Sequence, residues 1–569
     1  MIWRNRRKLN KIGIDFDEIL MDSRNIHAFD TQQFEGRIEK TISKQTVWFI
    51  GGFFVLVVAV FVGKLHILQI QNGEDYSVLS EKNSLDSQIV FADRGVIFDR
   101  NDVELAWNVR TPEMTEFDPS LRAYTTTPGS SVLLGYVKYP QKDKRGFYWQ
   151  TSYTGMDGVE KERNDYLNGV NGSKIIEVNA LGDVSSENIL NTPEHGKNLH
   201  LTIDVRLQGA MYDAIKALSE DIGYQGGAGA IMDINTGELI VATSFPEYDG
   251  SVIADGANTE IINGYFNDSR KPFLNRLVSG LYSPGSTVKP FIALGALNEG
   301  IITPSTTILS TGEVRVQNPY DKELFTTFRD WQEGGHGVTN VTKAIAESVN
   351  TFFYAIGGGY GNQPGLGITK IEEYIRLFEI GDKTGIDILG EVSGTVPNPE
   401  WKKRVFDGDA WRLGDTYNTS IGQYGFQVTP VEMLRAMSSI ANSGTLVSPH
   451  VISDTALTFK KLEKDLPESD YEVVREGLRK VVTEGTGGAL NVSYVDIAAK
   501  TGSAQTGLGN KFINSWTLGF FPYEEPKYAF VLLMEKGPND GTRSASFAMR
   551  TFIDWVQLNT PEYFVSTDE

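Results

Sequence analysis

Nineteen consecutive residues from Gln45 to Gly63, QTVWFIGGFFVLVVAVFVG, carry no charge. At ~1.5 Å of rise per residue, a helix of this length nearly crosses a hydrocarbon layer of ~30 Å, and the apolar stretch KLHILQI extends it. A core helix of a water-soluble domain keeps a polar face, and this run has none. A cleavable leader has a far shorter charged start and a small-residue cleavage site after its apolar run. The segment predicts a transmembrane helix. Lys and Arg outnumber Asp and Glu nine to seven in residues 1–44, with Arg37, Lys40 and Lys44 nearest the apolar run. Positive residues favour the cytoplasmic side. The expected topology is therefore single-pass in the cytoplasmic (inner) membrane, with the N-terminus in the cytoplasm and the remaining chain outside.

With 569 residues, 40% of them hydrophobic, the chain can bury at least two cores. A formal charge of −20 argues against nucleic acid as a partner. The absence of cysteine removes disulfides, thiolate zinc sites and cysteine nucleophiles together.

The texture of the chain suggests four parts: a mixed-charge tail over 1–45, the membrane helix and a stalk over 46–70, a β-rich segment over 71–198, and a large domain over 199–569. The β-rich segment shows short strand-like runs (SQIVFADRGVIFD, SKIIEVNALG), one helix around GMDGVEKERNDYL, and little core of its own. After the boundary at PEHGK, Asp204 caps an apolar-periodic helix, and GAGAIMDINTGELIVATSF reads as a hairpin around Asn-Thr-Gly. Helices are predicted at 286–299, 341–356, 368–378, 430–443 and 469–484. Strands follow at 494–500, 515–522 and 527–535, and then a terminal helix, SFAMRTFIDWVQ. This order predicts an α+β fold, an antiparallel sheet flanked by helices.

Ser286-Thr287-Val288-Lys289 is the only Ser-x-x-Lys in the sequence. Pro284-Gly285 forces a turn before it and an apolar helix follows, so Ser286 is expected near a helix N-terminus with Lys289 one turn later. Free N–H groups of a first helical turn can stabilise an oxyanion, and a desolvated lysine loses proton affinity and can act as a base. Alone, the pattern describes an ordinary helix start with a solvated lysine. Ser348-Val349-Asn350 adds a second motif inside AIAESVNTFFYAI; Ser23 and Ser186 begin further Ser-x-Asn triplets, but both precede Ser286. Lys-Thr-Gly occurs at Lys383 and at Lys500. Lys383 follows a helix within a loop. Lys500-Thr501-Gly502-Ser503 ends a strand-like run, where an edge can pair with a peptide backbone.

The ordered trio resembles that of the penicillin-recognising serine acyltransferases, the penicillin-binding proteins and serine β-lactamases. ADRGVIFDRNDVELAWN and GMDGVEKERNDYLNGVNG resemble the pedestal, or dimerisation-like domain, of class B penicillin-binding proteins. GDTYNTSIGQYGFQVTPVEMLRAMSSIANSGTLVSPH and AAKTGSAQT with WTLGFFP resemble their transpeptidase core. GGHGVTNVTKAIAESVNTFFY and SIGQYGFQVTP are closer to the elongation branch, penicillin-binding protein 2, than to the division branch. The resemblance implies a peptidoglycan D,D-transpeptidase that cross-links stem peptides through a serine acyl-enzyme. Ser286 would be the nucleophile, Lys289 its base, Ser348 a proton relay, Asn350 a holder of the substrate amide and Lys500 a positive charge. Thr501, Gly502 and Ser503 would bind substrate, with N–H groups of Ser286 and Ser503 as oxyanion hole. Relatives usually carry Thr in place of Ser503 and Phe in place of Thr517; the latter change is expected to alter the rim of the site.

The resemblance further implies β-lactams as covalent inhibitors. Its partners would be a SEDS-type glycan polymerase and other membrane proteins of wall synthesis, and a catalytic domain without the pedestal should still be acylated. No cofactor is expected. His336 reads as a turn or packing residue; some relatives hold a metal near it with a cysteine that this chain lacks, so no metal is expected either. Alternatives on the same trio are a division-type enzyme, a D,D-carboxypeptidase or β-lactamase, and a β-lactam sensor or wall scaffold.

Overall fold

Ser43 opens the first helix, Lys44–His66, by accepting the Thr46 N–H at 3.1 Å. The helix continues as a π-helical turn over Ile67–Gln71, and none of its residues is buried against protein. Its 28 residues to Gln71 are long and apolar enough to cross a membrane. The computed structural model describes residues 43–76, 85–144, 146–178, 184–318, 321, 323–539 and 543–564. Residues 1–42 of the predicted tail, Arg37 and Lys40 among them, lie outside these. The chain divides into two units, Met1–Asp86 with Glu177–Ser186, and Ser87–Ile176 with Glu187–Glu569.

In the larger unit a five-stranded antiparallel sheet runs in the order Leu239–Phe245, Gly226–Asp233, Tyr528–Pro538, Phe512–Phe521, Ala498–Thr506. The first two strands are the predicted hairpin, closed where Asp233 Oδ1 accepts the N–H groups of Asn235 and Thr236 at 2.8 and 3.2 Å. The central strand is apolar from Ala529 to Met534, where it is covered on both faces. Phe530, Leu532 and Met534 share a core with Met211, Met549 and Phe552 of helices Val205–Ile222 and Ala545–Asn559. Val531 and Leu533 belong to a second core with Phe291 of helix Lys289–Asn298 and Met437 of helix Pro430–Ala441. The fold is α+β, as the element order predicts.

The helices at Gly367–Leu377, Pro430–Ala441 and Glu468–Thr483 form within two residues of their expected ends. Three local expectations are corrected. The helix expected over 341–356 is two helices, Val341–Ala346 and Asn350–Gly358, because Ser348 adopts φ +56° and its carbonyl turns to accept from Lys289 Nζ at 2.7 Å. The helix expected from 286 begins as a 3-10 turn, Gly285–Val288, and becomes α-helical only at Lys289. The strand expected to end at Lys500 instead starts at Ala498 and carries the whole Lys-Thr-Gly segment to Thr506, since every one of these residues pairs with Phe512–Phe520.

The β-rich segment is built from short strands. Ile97–Phe98 and Leu121–Tyr124 flank Glu104–Val109, and Leu199–His200 adds in parallel to Ile97–Phe98. Glu160 receives Arg94 Nε at 2.6 Å and Arg122 Nε at 2.7 Å, with all three side chains buried. The ADRG and GVEK blocks are thus one ionic cluster, and removing a single partner from such a cluster costs ~3–5 kcal/mol. The segment's Ile97, Leu105, Tyr124, Leu133, Val159 and Leu167 lie in the same core as Phe291, Met437 and Leu533. Polar contacts bind it too: Asp99 Oδ2 accepts from Val205 N at 3.2 Å, and Glu247 accepts from Gly129 N and Ser131 N at 2.6 and 2.9 Å.

Candidate active site

Ser286 sits in the 3-10 turn Gly285–Val288, half-buried at the base of a cleft of about 840 Å³. Trp516 Nε1 of the sheet donates to Ser283 O at 3.0 Å, and Gly285 N donates to Gly422 O at 3.0 Å, fixing the turn from two sides. Gly285 has φ +56°, and a Cβ there would stand 3.1 Å from Ser503 O. The turn therefore packs directly on the edge strand Ala498–Thr506. At Gly502 a Cβ would stand 2.8 Å from Thr287 Cγ2, so the glycine of Lys-Thr-Gly is required by this close approach.

Lys289 lies beneath the cleft, fully buried. Its Nζ donates to Ser348 O and to Asn350 Oδ1, both at 2.7 Å, and lies 3.2 Å from Ser348 Oγ. Burial lowers its proton affinity far below that of an ordinary lysine, the Lys500 charge lowers it further, and the Asp330 carboxylate opposes both. An uncharged amine has two N–H donors, which the two 2.7 Å acceptors consume, so its lone pair is left to accept a proton. Lys500, also buried, donates to Ser348 Oγ at 3.0 Å and to Thr501 O at 2.9 Å. Burial brings its pKa down to about 7.

The break at Ser348 makes this arrangement possible. A left-handed serine costs roughly 1–2 kcal/mol, yet it turns the carbonyl of Ser348 and the side chain of Asn350 toward one amine. Ser286, Ser348, Asn350, Thr501, Gly502 and Ser503 all line the cleft, with Lys289 and Lys500 under them. Lys383 does not join them. It is exposed on a loop whose Thr384 Oγ1 donates to Glu391 at 2.6 Å.

Sequence reasoning missed several groups in the cleft. Thr486 Oγ1 stands 2.5 Å from Thr501 Oγ1. Asp330 Oδ2 accepts from Thr351 N and Oγ1, both at 2.9 Å, clamping the start of the helix that carries Asn350. Tyr424, at φ +66°, is packed by Trp401 and Trp411 at 5.8 Å. A positive φ on a non-glycine residue has no local sequence signature, and the others lie on loops. Thr517 corrects a further expectation: it sits beside Thr501, its cross-strand partner on the next strand in, is fully buried, and so is not part of the rim. His336 is buried too, with Nδ1 2.7 Å from Glu347 Oε2 and its ring 5.2 Å from that of Trp331. Among the described residues no group of three or more His, Asp or Glu is arranged to hold a metal ion.

Residues 227–553 match the family described as "Penicillin binding protein transpeptidase domain", and residues 118–201 match "Penicillin-binding Protein dimerisation domain". The chain belongs to the penicillin-binding proteins. Within that family it is a class B, PBP2-type serine D,D-transpeptidase. The peptidoglycan D,D-transpeptidase MrdA of Acinetobacter baumannii is 28% identical over 613 residues, covering 91% of this chain and 88% of MrdA. A penicillin-binding protein (PBP2) of Helicobacter pylori, solved in complex with MreC, aligns with TM-score 0.69 and 28% identity, covering 84% of this penicillin-binding protein and 99% of that chain. A chain from a structure described as "Structural coordination of polymerization and crosslinking by a peptidoglycan synthase complex" aligns with TM-score 0.69 and 25% identity, covering 89% and 97%. The elongation-type relatives favour that branch over the division-type alternative.

Proposed function

We propose that Ser286 attacks the D-Ala–D-Ala carbonyl of a peptidoglycan stem peptide, releases the terminal D-Ala, and passes the acyl group to an amine of a neighbouring stem. The observation that carries this reading is the convergence of Lys289 and Lys500 on Ser348 Oγ beneath the cleft that Ser286 lines. Lys289, neutral through burial, takes the serine proton. Ser348 passes protons between the lysines and the leaving amine. Asn350 orients the substrate amide. Lys500, with Thr501 and Ser503, receives the substrate carboxylate, and the N–H groups of Ser286 and Ser503 receive the oxyanion.

The same reading sets the chain in the cytoplasmic membrane by its first helix, with residues 1–45 inside and 71–569 outside. Residues 71–198 act as a pedestal for the catalytic part from 199 onward. The H. pylori relative assembles with MreC, and the synthase relative couples polymerisation to cross-linking. By analogy, the transmembrane helix and pedestal here bind a SEDS-type glycan polymerase, and the pedestal meets an MreC-like partner.

Mass spectrometry after penicillin treatment tests the chemistry. One adduct on Ser286, lost in Ser286→Ala and persisting for many minutes, supports a transpeptidase over a β-lactamase. An adduct on another residue, or labelling that survives the substitution, overturns it.

A further inference from the structure

At about 840 Å³ the cleft stands near the upper end of small-ligand sites, ~300–1,000 Å³, and admits more of a stem peptide than its last two residues. Among the described residues its lining carries two charged side chains, Arg329 and Asp330. Asp330 is committed, since its carboxylate clamps Thr351 N and Oγ1. Arg329 is not. Arg329 is exposed, lines the cleft and has no ion pair among the described residues. The acid opposite it across the hairpin is Glu313, its register partner, but Glu313 is held by Arg315 at 2.5 Å. In a chain of net charge −20, a cleft cation whose neighbouring acids, Asp330 and Glu313, are both engaged by other groups has a vacancy for an anion.

The backbone that presents Arg329 is fixed. Strand Phe325–Arg329 pairs with Glu313–Gln317, and Tyr354 Oη donates to Arg329 O at 3.3 Å. The next residue, Asp330, grips the helix that begins at Asn350. Arg329 thus stands at a constant offset from the segment that orients the scissile amide, which is what a second anchoring point for the same substrate requires.

We propose that Arg329 is a carboxylate-recognition subsite, binding a free side-chain carboxylate of the stem peptide outside its D-Ala–D-Ala terminus. The inference rests on the reading of Ser286 as the transpeptidase nucleophile. A guanidinium engages a carboxylate through paired charged hydrogen bonds and gains far less from a carboxamide. Arg329 therefore selects carboxylate-bearing stems over amidated ones, on either the donor or the acceptor strand.

The test uses the full-length protein in detergent, with matched synthetic stem peptides carrying a carboxylate or a carboxamide, first as acyl donor and then as acceptor amine. The wild type should prefer the carboxylate about tenfold in kcat/KM in at least one arm. The preferring arm identifies which strand occupies the subsite. In Arg329→Gln the ratio should fall below about twofold, and in Arg329→Lys it should be partly kept. Each ratio is internal to one variant, so a general loss of activity does not imitate the effect. Should Arg329→Gln fail to fold, the wild-type preference should shrink between 50 and 500 mM salt, as an exposed charge contact does. A wild type indifferent to amidation in both arms, a preference unmoved by salt, or a preference that Arg329→Gln retains overturns the proposal. Failure of the underlying reading shows itself separately, as wild-type protein that forms no penicilloyl adduct on Ser286.

Discussion

Lys289 and Lys500 meet at one hydroxyl: their Nζ atoms lie 3.2 and 3.0 Å from Ser348 Oγ, and among the described residues neither forms an ion pair with a carboxylate. Two buried ammonium groups around one oxygen repel each other, and the Asp330 carboxylate offsets burial and that repulsion only in part. The pair holds fewer than two protons near neutral pH, with the more heavily depressed lysine, Lys289, giving its proton up first. The base and the cation of the proposed mechanism would thus arise from one residue type, separated by environment alone.

The two Lys-Thr-Gly segments should separate cleanly in kinetics. Lys500→Ala removes the buried positive charge beside Ser348 and should slow acylation by fluorescent penicillin a hundredfold or more, ~2.7 kcal/mol of barrier. Lys383→Ala, on an exposed loop, should change it less than about threefold, or under ~0.7 kcal/mol. Comparable losses in both would show that the assignment of the substrate-binding strand is mistaken.

The strained backbone at Ser348 gives a prediction in which stability and activity part company. Ser348→Gly and Ser348→Ala both delete the hydroxyl that joins the two lysines, so both should acylate slowly and to a similar extent. Only glycine accepts φ +56° freely. The glycine variant should therefore be more stable than the alanine variant by ~1 kcal/mol in denaturant unfolding. Equal stability, or a more stable alanine variant, would mean that the left-handed conformation relaxes without cost.

Lys500 should leave a mark on the pH profile. Burial lowers its pKa to about 7, so its charge is present below that pH and disappears above it. The acylation constant of the free enzyme should decline as pH rises past about 7, tending toward tenfold per unit. Lys500→Arg keeps its charge at every accessible pH and should lower the plateau while removing the decline. Stopped-flow acylation from pH 6 to 9 reads this directly, and a flat wild-type profile over that range contradicts it.

The parts of this protein legible in its sequence are those written locally. The helix long and apolar enough to cross a membrane is one uninterrupted apolar run, the Asn-Thr-Gly hairpin is a turn between two strands, and each motif of the proposed site occupies four residues or fewer. What escaped depends on residues distant in the chain. The apolar spacing around Ser348 is helical on both sides, and the break depends on Lys289, 59 residues earlier. Thr517 reads as a rim position until its pairing with Thr501 puts it on the buried strand next to the edge. The pedestal reads as having little core, which is true of the segment alone; its few apolar residues are completed by the catalytic part.

That shared core changes what truncation should do. The sequence suggests that residues 199–569 can stand alone, because Ser286, Ser348, Asn350 and Lys500 all follow the boundary. Cutting at 198 instead unpairs Leu199 from Ile97 and leaves the Glu247 carboxylate without the N–H groups of Gly129 and Ser131. It also exposes the core surface that Leu105, Leu133, Val159 and Leu167 cover. At ~1.5–3 kcal/mol per fully buried apolar side chain, even partial exposure removes several kcal/mol. A chain of residues 85–569 should melt cooperatively and acylate with penicillin, whereas 199–569 should melt at least ~10 °C lower or aggregate. Glu160→Ala in the longer chain should reproduce part of the loss, since it strands Arg94 and Arg122 as unpaired buried charges. Thermal melts with acylation on both chains decide the matter. If 199–569 melts within a few degrees of 85–569 and acylates at the same rate, the pedestal is an appendage and the shared core contributes little.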